Sequence, residues 1–282
     1  MGFQVQSLQT HRVKYYKKID EWALQNALKL INKASDCSVS ADLLKQISSI
    51  YMGAKVESIV EPSRKFSVAY HTPITGDLEF LIARTLYRYS LEKELGWEVH
   101  LRKPKKMNNR MLVPDVRIDK GGKTIGIIEI KARVGWMQPF FSEEQLQKGI
   151  LRKERNPRAK DPQEIIQAAR DQLEKYIKGF GLAESKRETM FMLVPSLAAA
   201  HRKKNTSSMS MDEIYLEYKK TFSDHSGLDQ QNLVVLTKDL GYDAGMTHKN
   251  TEKPILADPK MVTDEFREMV KLISRNGRNL KN

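Results

Sequence analysis

Apolar residues in this chain follow two different periods, and the change from one to the other outlines the fold. Over residues 1–60 the spacing is helical. Ile19, Trp22, Ala23, Ala27, Leu30 and Ile31 mark one stripe, and Leu43, Leu44, Ile47, Ile50 and Tyr51 mark another. The second stripe predicts a helix over Ala41–Met52, with Gly53 after it. Glu61–Pro73 reads as a connector. Thr75-Gly76-Asp77-Leu78-Glu79 then opens a long helix to about Leu95, with Leu78, Ile82, Leu86 and Tyr89 on its apolar face. From there the pattern becomes strand-like. Trp97–Lys105 predicts one strand. Met111–Arg133 (MLVPDVRIDKGGKTIGIIEIKAR) predicts a β-hairpin with arms Met111–Ile118 and Thr124–Ala132 around Asp119-Lys120-Gly121-Gly122. The second arm carries Thr124, Ile125, Ile127, Ile128 and Ile130, which predicts a central, buried strand.

The helical period returns after a long stretch, Val134–Pro162, that reads as an irregular insertion. Asp161 as N-cap and Pro162 in the first turn open a helix to about Lys178, with Ile165, Ile166, Ala169, Leu173 and Ile177 on one stripe. Thr189–Val194 predicts a core strand ended by Pro195, and Ala198–Ser210 a basic loop or helix end. A helix over Asp212–Thr221, a last strand over Leu233–Thr237, a turn-rich Gly241–Pro259 and an amphipathic helix over Val262–Ser274 complete the chain. The tail from Arg275 is expected to fray. The expected organisation is a helical N-terminal region over 1–70, an α/β core over 71–240, and a C-terminal helical extension over 241–282.

Charge changes this picture at one place. The predicted buried strand contains Glu129 and Lys131, and the arm before it contains Asp115 after Pro114. Charged side chains are rarely buried unless paired or metal-bound. Glu129 and Lys131 are two residues apart, so they share a face, and Asp115 can lie beside Glu129 across the hairpin. Adjacent carboxylates raise each other's pKa. A hard divalent cation such as Mg2+ removes that conflict through oxygen ligands.

Pro114-Asp115, thirteen intervening residues, and Glu129-Ile130-Lys131 resemble the PD-(D/E)xK motif of the restriction-endonuclease-like phosphodiesterases. Glu-x-Lys recurs at Glu184–Lys186 and Glu217–Lys219, but neither copy sits in an apolar strand after Pro-Asp. On the following helix, Gln172 and Tyr176 are neighbours four residues apart. They are similar to the Gln-x-x-x-Tyr motif of the superfamily branch found in recombination and repair nucleases and some restriction enzymes. Glu79 has two readings. It is a first-turn acid favoured by the helix dipole, or, in the Gly76–Glu79 context, the glutamate that such enzymes place on the helix before the core strands.

The resemblance covers about Gly76–Pro195. It implies an α/β fold with a restriction-endonuclease-like core, a central mixed β-sheet flanked by helices, and helical N- and C-terminal additions. It also implies a Mg2+-dependent deoxyribonuclease, with Mn2+ as a substitute metal. Asp115, Glu129, the Ile130 carbonyl and, through water, Glu79 would hold the metal. Lys131 would orient the nucleophile or neutralise the phosphate, and Gln172 and Tyr176 would position the phosphate or Lys131. A restriction or other defence endonuclease is the expected activity. A repair or replication exonuclease is the next, and a catalytically inactive nucleic-acid-binding protein on the same fold another.

Composition narrows the partner. Lys+Arg 48 against Asp+Glu 35 gives +13, and residues 101–160 hold sixteen Lys/Arg against six Asp/Glu, or +10. That concentration predicts a polyanionic partner, nucleic acid; the resemblance implies DNA rather than RNA, and no RNA-binding module is apparent. Val134–Pro162 interleaves Trp136, Phe140 and Phe141 with basic residues, as a nucleic-acid-contacting loop would. The single cysteine, Cys37, excludes an internal disulfide and a cysteine-based zinc site. A reducing cytoplasm is the expected compartment, with no secretory leader in the polar, basic Met1–Lys18 and no membrane span. Homodimerisation stays open.

Overall fold

Two apolar layers enclose a mixed sheet. The computed structural model describes residues 2–32, 38–60, 73–107, 110–131, 162–182, 184–197, 209–242 and 256–279. Three helices come first: α1 (Gly2–Ile31), α2 (Ser38–Val60) and α3 (Pro73–Glu92). The strands β1 (Glu98–Leu101), β2 (Lys105–Met107), β3 (Arg110–Leu112), β4 (Val116–Lys120) and β5 (Lys123–Ile130) follow. Then come α4 (Pro162–Gly179), a short α5 (Lys186–Thr189), β6 (Met190–Ser196), α6 (Met211–Ser226), β7 (Leu233–Thr237) and α7 (Glu265–Arg278). The predicted connector Glu61–Pro73, insertion Val134–Pro162, basic loop Ala198–Ser210 and turn-rich Gly241–Pro259 lie wholly or mostly outside the described residues.

The sheet order is β1-β4-β5-β6-β7. The first two pairings are antiparallel and the last two parallel, so the sheet is mixed and β5 is central. Strand alternation sorts side chains between the faces. Phe191, Leu193, Val234 and Leu236 pack with α1, α2, α3 and α7, while Met190, Met192, Val194, Leu233 and Val235 pack with α4 and α6.

Several predicted boundaries move, each for a physical reason. Met111–Ile118 is not one strand. Met111 and Leu112 belong to a separate hairpin, β2–β3, and β4 begins only at Val116. Pro114 has no N–H to give a ladder, and Asp115 turns its carboxylate onto a backbone N–H of β5. The hairpin turn is Gly121-Gly122, at φ +55° and +77°, and not the full Asp119–Gly122. Asp119 stays in β4, where a register shift after Ile118 sets it opposite Thr124, whose hydroxyl donates to it at 2.8 Å. The same shift turns Ile125 toward α7 while Ile127 faces α4. Pro195 does not end β6: the parallel pairing skips it and resumes at Ser196 with Thr237. Thr189 closes α5 instead of opening β6. α7 starts three residues later than predicted and includes Arg275–Arg278.

Residues far from the motif bind the layers together. Asp20 of α1 pairs with Arg84 and Arg88 of α3, and hydrogen bonding to Arg88 above all holds its carboxyl down to about 2. Asn26 and Gln46 form a buried reciprocal amide pair between α1 and α2. Arg267 of α7 donates to the carbonyls of Leu30 (3.0 Å) and Lys29 (3.4 Å), acceptors that the end of α1 leaves without helical partners. Gly126 lets α7 lie close on β5, since a Cβ there would meet Ile118 Cδ1 at 3.1 Å and Ile273 Cδ1 at 3.3 Å. The outer edge of β7 is covered: Glu265 accepts from the Val235 N–H at 2.6 Å, and the Thr263 N–H donates to Leu236 at 3.0 Å. No helix among the described residues is long and apolar enough to cross a membrane.

Candidate active site

The site forms where β5 ends and β4 begins. Asp115 and Glu129 lie one pairing step beyond Val116 and Ile128, so the register brings them face to face. Each carboxylate accepts a backbone N–H from the other strand: Ile130 N–H to Asp115 Oδ2 at 2.8 Å, and Asp115 N–H to Glu129 Oε1 at 3.4 Å. Glu129 is 1% exposed. Its other oxygen, Oε2, accepts from Lys131 Nζ at 3.2 Å and from Gln172 Nε2 at 2.9 Å. Burial first, and the Asp115 charge second, push the Glu129 pKa up to about 7, although Lys131 opposes both. Lys131 sits just past the last residue of β5, anchored by its N–H to the Leu193 carbonyl of β6 at 2.9 Å.

The two residues of the Gln-x-x-x-Tyr pair each hold one side of the facing acids. Neither hydrogen-bonds Lys131 in this structure. Gln172 orients the Glu129 carboxylate. Tyr176 donates its hydroxyl to the Val113 carbonyl at 2.9 Å. Val113 precedes buried Pro114 and then Asp115, so this bond fixes the chain leading to the acid. Burial, and then the Glu129 charge, raise the Tyr176 phenol well above its ordinary pKa, so it remains a donor. Tyr176→Phe is expected to cost about 1 kcal/mol in urea unfolding by leaving the carbonyl without that donor. An unchanged midpoint would show that the tether contributes nothing.

Glu79 does not face the site bare. It is 1% exposed, and Arg102 takes up its charge. Arg102 Nη2 donates to Glu79 Oε1 at 2.6 Å, and Arg102 Nε forms an ion pair with Oε2. Burial still raises the Glu79 pKa, and the charge of Asp115 adds to this. The third acid is therefore close enough to feel Asp115, but an internal cation holds it.

Arg102 is the residue that sequence reasoning missed. It follows β1 with φ +45°, a backbone conformation that costs a non-glycine residue about 1 kcal/mol or more. Its N–H donates to the Asp115 carbonyl at 2.9 Å, which holds it there. No spacing rule singles out this arginine among the basic residues around it.

A second charged group lies farther along β4. Asp119 receives Arg117 Nε at 3.1 Å and Lys105 Nζ at 3.3 Å, with His100 Nε2 at 3.4 Å. Burial works to raise its pKa, but the Thr124 hydroxyl and the two cations outweigh it and the net shift is downward. Burial and then Arg117 push His100 down, which favours its neutral form. The sequence placed Asp119 in a turn; in the fold it is a buried counter-ion.

Asp115, Glu129 and the Ile130 carbonyl are the oxygen donors that could hold a hard divalent cation. Among the described residues, no group of three or more His, Cys, Asp or Glu side chains gathers at metal-binding distance. The donor set is thus two carboxylates and backbone oxygen, with water completing the shell of an ion such as Mg2+. No protein-family model, no curated protein and no solved structure matches this chain.

Proposed function

We propose that this protein is a Mg2+-dependent deoxyribonuclease of the PD-(D/E)xK type, acting as an endonuclease in restriction or a related defence. The observation that carries the reading is the facing pair Asp115 and Glu129, with Lys131 Nζ 3.2 Å from Glu129, at the buried end of the central strand β5. Holding a buried carboxylate beside a half-buried one is costly unless a cation offsets their repulsion. A raised Glu129 pKa is what such a site has before its metal arrives.

When bound, Mg2+ would stabilise charge on the phosphate oxygens and make a coordinated water more acidic. Asp115, Glu129 and the Ile130 carbonyl would hold it. Lys131, a compact cation with donors beyond the one given to Glu129, neutralises charge that develops on the phosphate. Gln172 keeps the Glu129 carboxylate in one rotamer, and Tyr176 keeps Asp115 in register. In the reaction, water oxygen bonds to phosphorus, the bond from phosphorus to one ester oxygen breaks, and the leaving oxygen takes a proton. The excess of positive charge around the hairpin supports DNA as the substrate.

A second reading has its own observation. Lys131 on Glu129 and Arg102 on Glu79 are internal ion pairs, as a nucleic-acid-binding protein without catalysis could use. Incubation of linear and covalently closed circular DNA with Mg2+, with EDTA and with Lys131→Ala separates the two. The nuclease reading expects both DNA forms to be cut only with Mg2+, and the variant to be slower by about a hundredfold. Cutting of linear DNA alone would make the enzyme an exonuclease. Salt-sensitive binding with no cutting would favour the second reading.

A further inference from the structure

The hairpin β2–β3 has one face committed to the core and one that is not. On the inner face, Leu112 is fully buried and touches the end of α4, where a Cβ on Gly179 would lie 2.3 Å from Leu112 Cδ1. Lys105 is on the same side, 5.9 Å from the centre of the Phe180 ring. On the outer face, Lys106 and Met111 are register partners and both are exposed. Met111 is 55% exposed, and Val113, just beyond it, 42%. Arg102 and Lys103 are exposed at the base of the hairpin. Residues 102–113 contain five Lys/Arg and no Asp or Glu.

We propose that this outer face enters the major groove of duplex DNA, with Lys106 on the phosphates and Met111 against base edges. The inference rests on the nuclease reading and adds the element that engages the substrate. Three observations support it. Arg102 and Lys105 are ion-paired with Glu79 and Asp119, but Lys103 and Lys106 are exposed cations with no acid in the same stretch, which suits a polyanion. Two strands about 5 Å apart make a ribbon narrow enough for a groove about 12 Å wide. Only Val113 and Pro114 separate Leu112 from Asp115, so the hairpin reaches within about 10 Å of the candidate catalytic acid. The Tyr176 hydroxyl holds the intervening Val113 carbonyl, so the ribbon and Asp115 share one support. An exposed methionine has no packing role here; against base edges it would bury apolar surface.

The test is binding of a short labelled duplex, and of one of its strands alone, followed by fluorescence anisotropy in EDTA over a range of salt. Lys106→Ala is expected to weaken duplex binding several-fold and to reduce the salt slope by about one. Met111→Ser is expected to weaken it about fivefold with the slope unchanged. Leu216→Ser, at an exposed position on α6, serves as the control and is expected to change nothing. All three side chains are exposed, so thermal unfolding should stay within a few degrees of the unaltered chain. Duplex binding unchanged in both hairpin variants overturns the proposal, as does equal weakening of duplex and single strand. Failure of the unaltered chain to bind any DNA, both in EDTA and with Ca2+ in its place, overturns the nuclease reading itself.

Discussion

Glu129→Gln is expected to abolish cleavage, by more than about a thousandfold, while leaving the metal-free fold as stable as before or more so. The activity loss follows from removing an anionic oxygen donor worth several kcal/mol in the transition state. The stability gain follows from burial. Burial and the Asp115 charge push the Glu129 carboxyl up to about 7 in the folded chain, above the ordinary carboxylate range. The folded state therefore binds that proton more tightly than the unfolded state does. This contribution to stability is full below the unfolded value and is lost as pH rises through the folded one. The loss is on the order of 3 kcal/mol between pH 4 and pH 8. The Gln side chain keeps an acceptor for Gln172 and carries no charge, so its urea midpoint should lack that decline. Saturating Mg2+ should flatten the slope of the unaltered chain, because it binds the folded, ionised pair. Retained cleavage in the variant, or identical slopes in both chains, would remove Glu129 from the site.

Truncation after Asp258 should leave no cooperatively folding protein. The segment removed contains α7, with Phe266, Met269, Val270 and Ile273 all 1% exposed or less. Four such side chains are worth about 6–12 kcal/mol of burial, comparable to the whole stability of a domain at about 5–15 kcal/mol. Truncation also strips the edge of β7, losing the bond from the Val235 N–H to Glu265, and leaves buried Lys219 without its Glu265 partner. Far-UV circular dichroism during heating reads the outcome. Phe266→Ala provides a graded version and should cost about 3–5 kcal/mol. A truncated chain that melts sharply near the parent temperature would show that α7 is an appendage.

That second result bears on what could be read from the sequence. The amphipathic period of Val262–Ser274 shows that one face is buried, but no period says against what. Residues 241–282 were expected as an extension. In the fold, α7 lies on β5 through Gly126 and grips the end of α1 through Arg267. The N-terminal helices were likewise legible as helices, and their shared cluster with the sheet was not.

The facing acids were legible because their placement depends on local geometry. Alternation puts Glu129 and Lys131 on one side of a strand, and a hairpin folding back at Gly121-Gly122 brings Asp115 opposite Glu129. Both relations hold over fewer than twenty residues of chain. The i, i+4 spacing of Gln172 and Tyr176 was equally local, and the helix they share was expected. Their hydrogen-bond partners were not, because these depend on how α4 settles across the sheet. The pairing of Arg102 with Glu79 joins residues on a helix and just past a strand end, and Asp119 gains its cations from β2 and β4.

Sequence by itself determined the helix and strand periods, the excess of cations around the hairpin, and the meeting of Asp115 with Glu129. Those follow from backbone geometry and residue order at short range. Tertiary structure alone decided that Glu79 is paired with an arginine, that Tyr176 holds the strand entry at Val113, and that the last helix packs into the core. Each is a contact between elements brought together by packing, and packing depends on the joint shape of faces whose partners no linear pattern names.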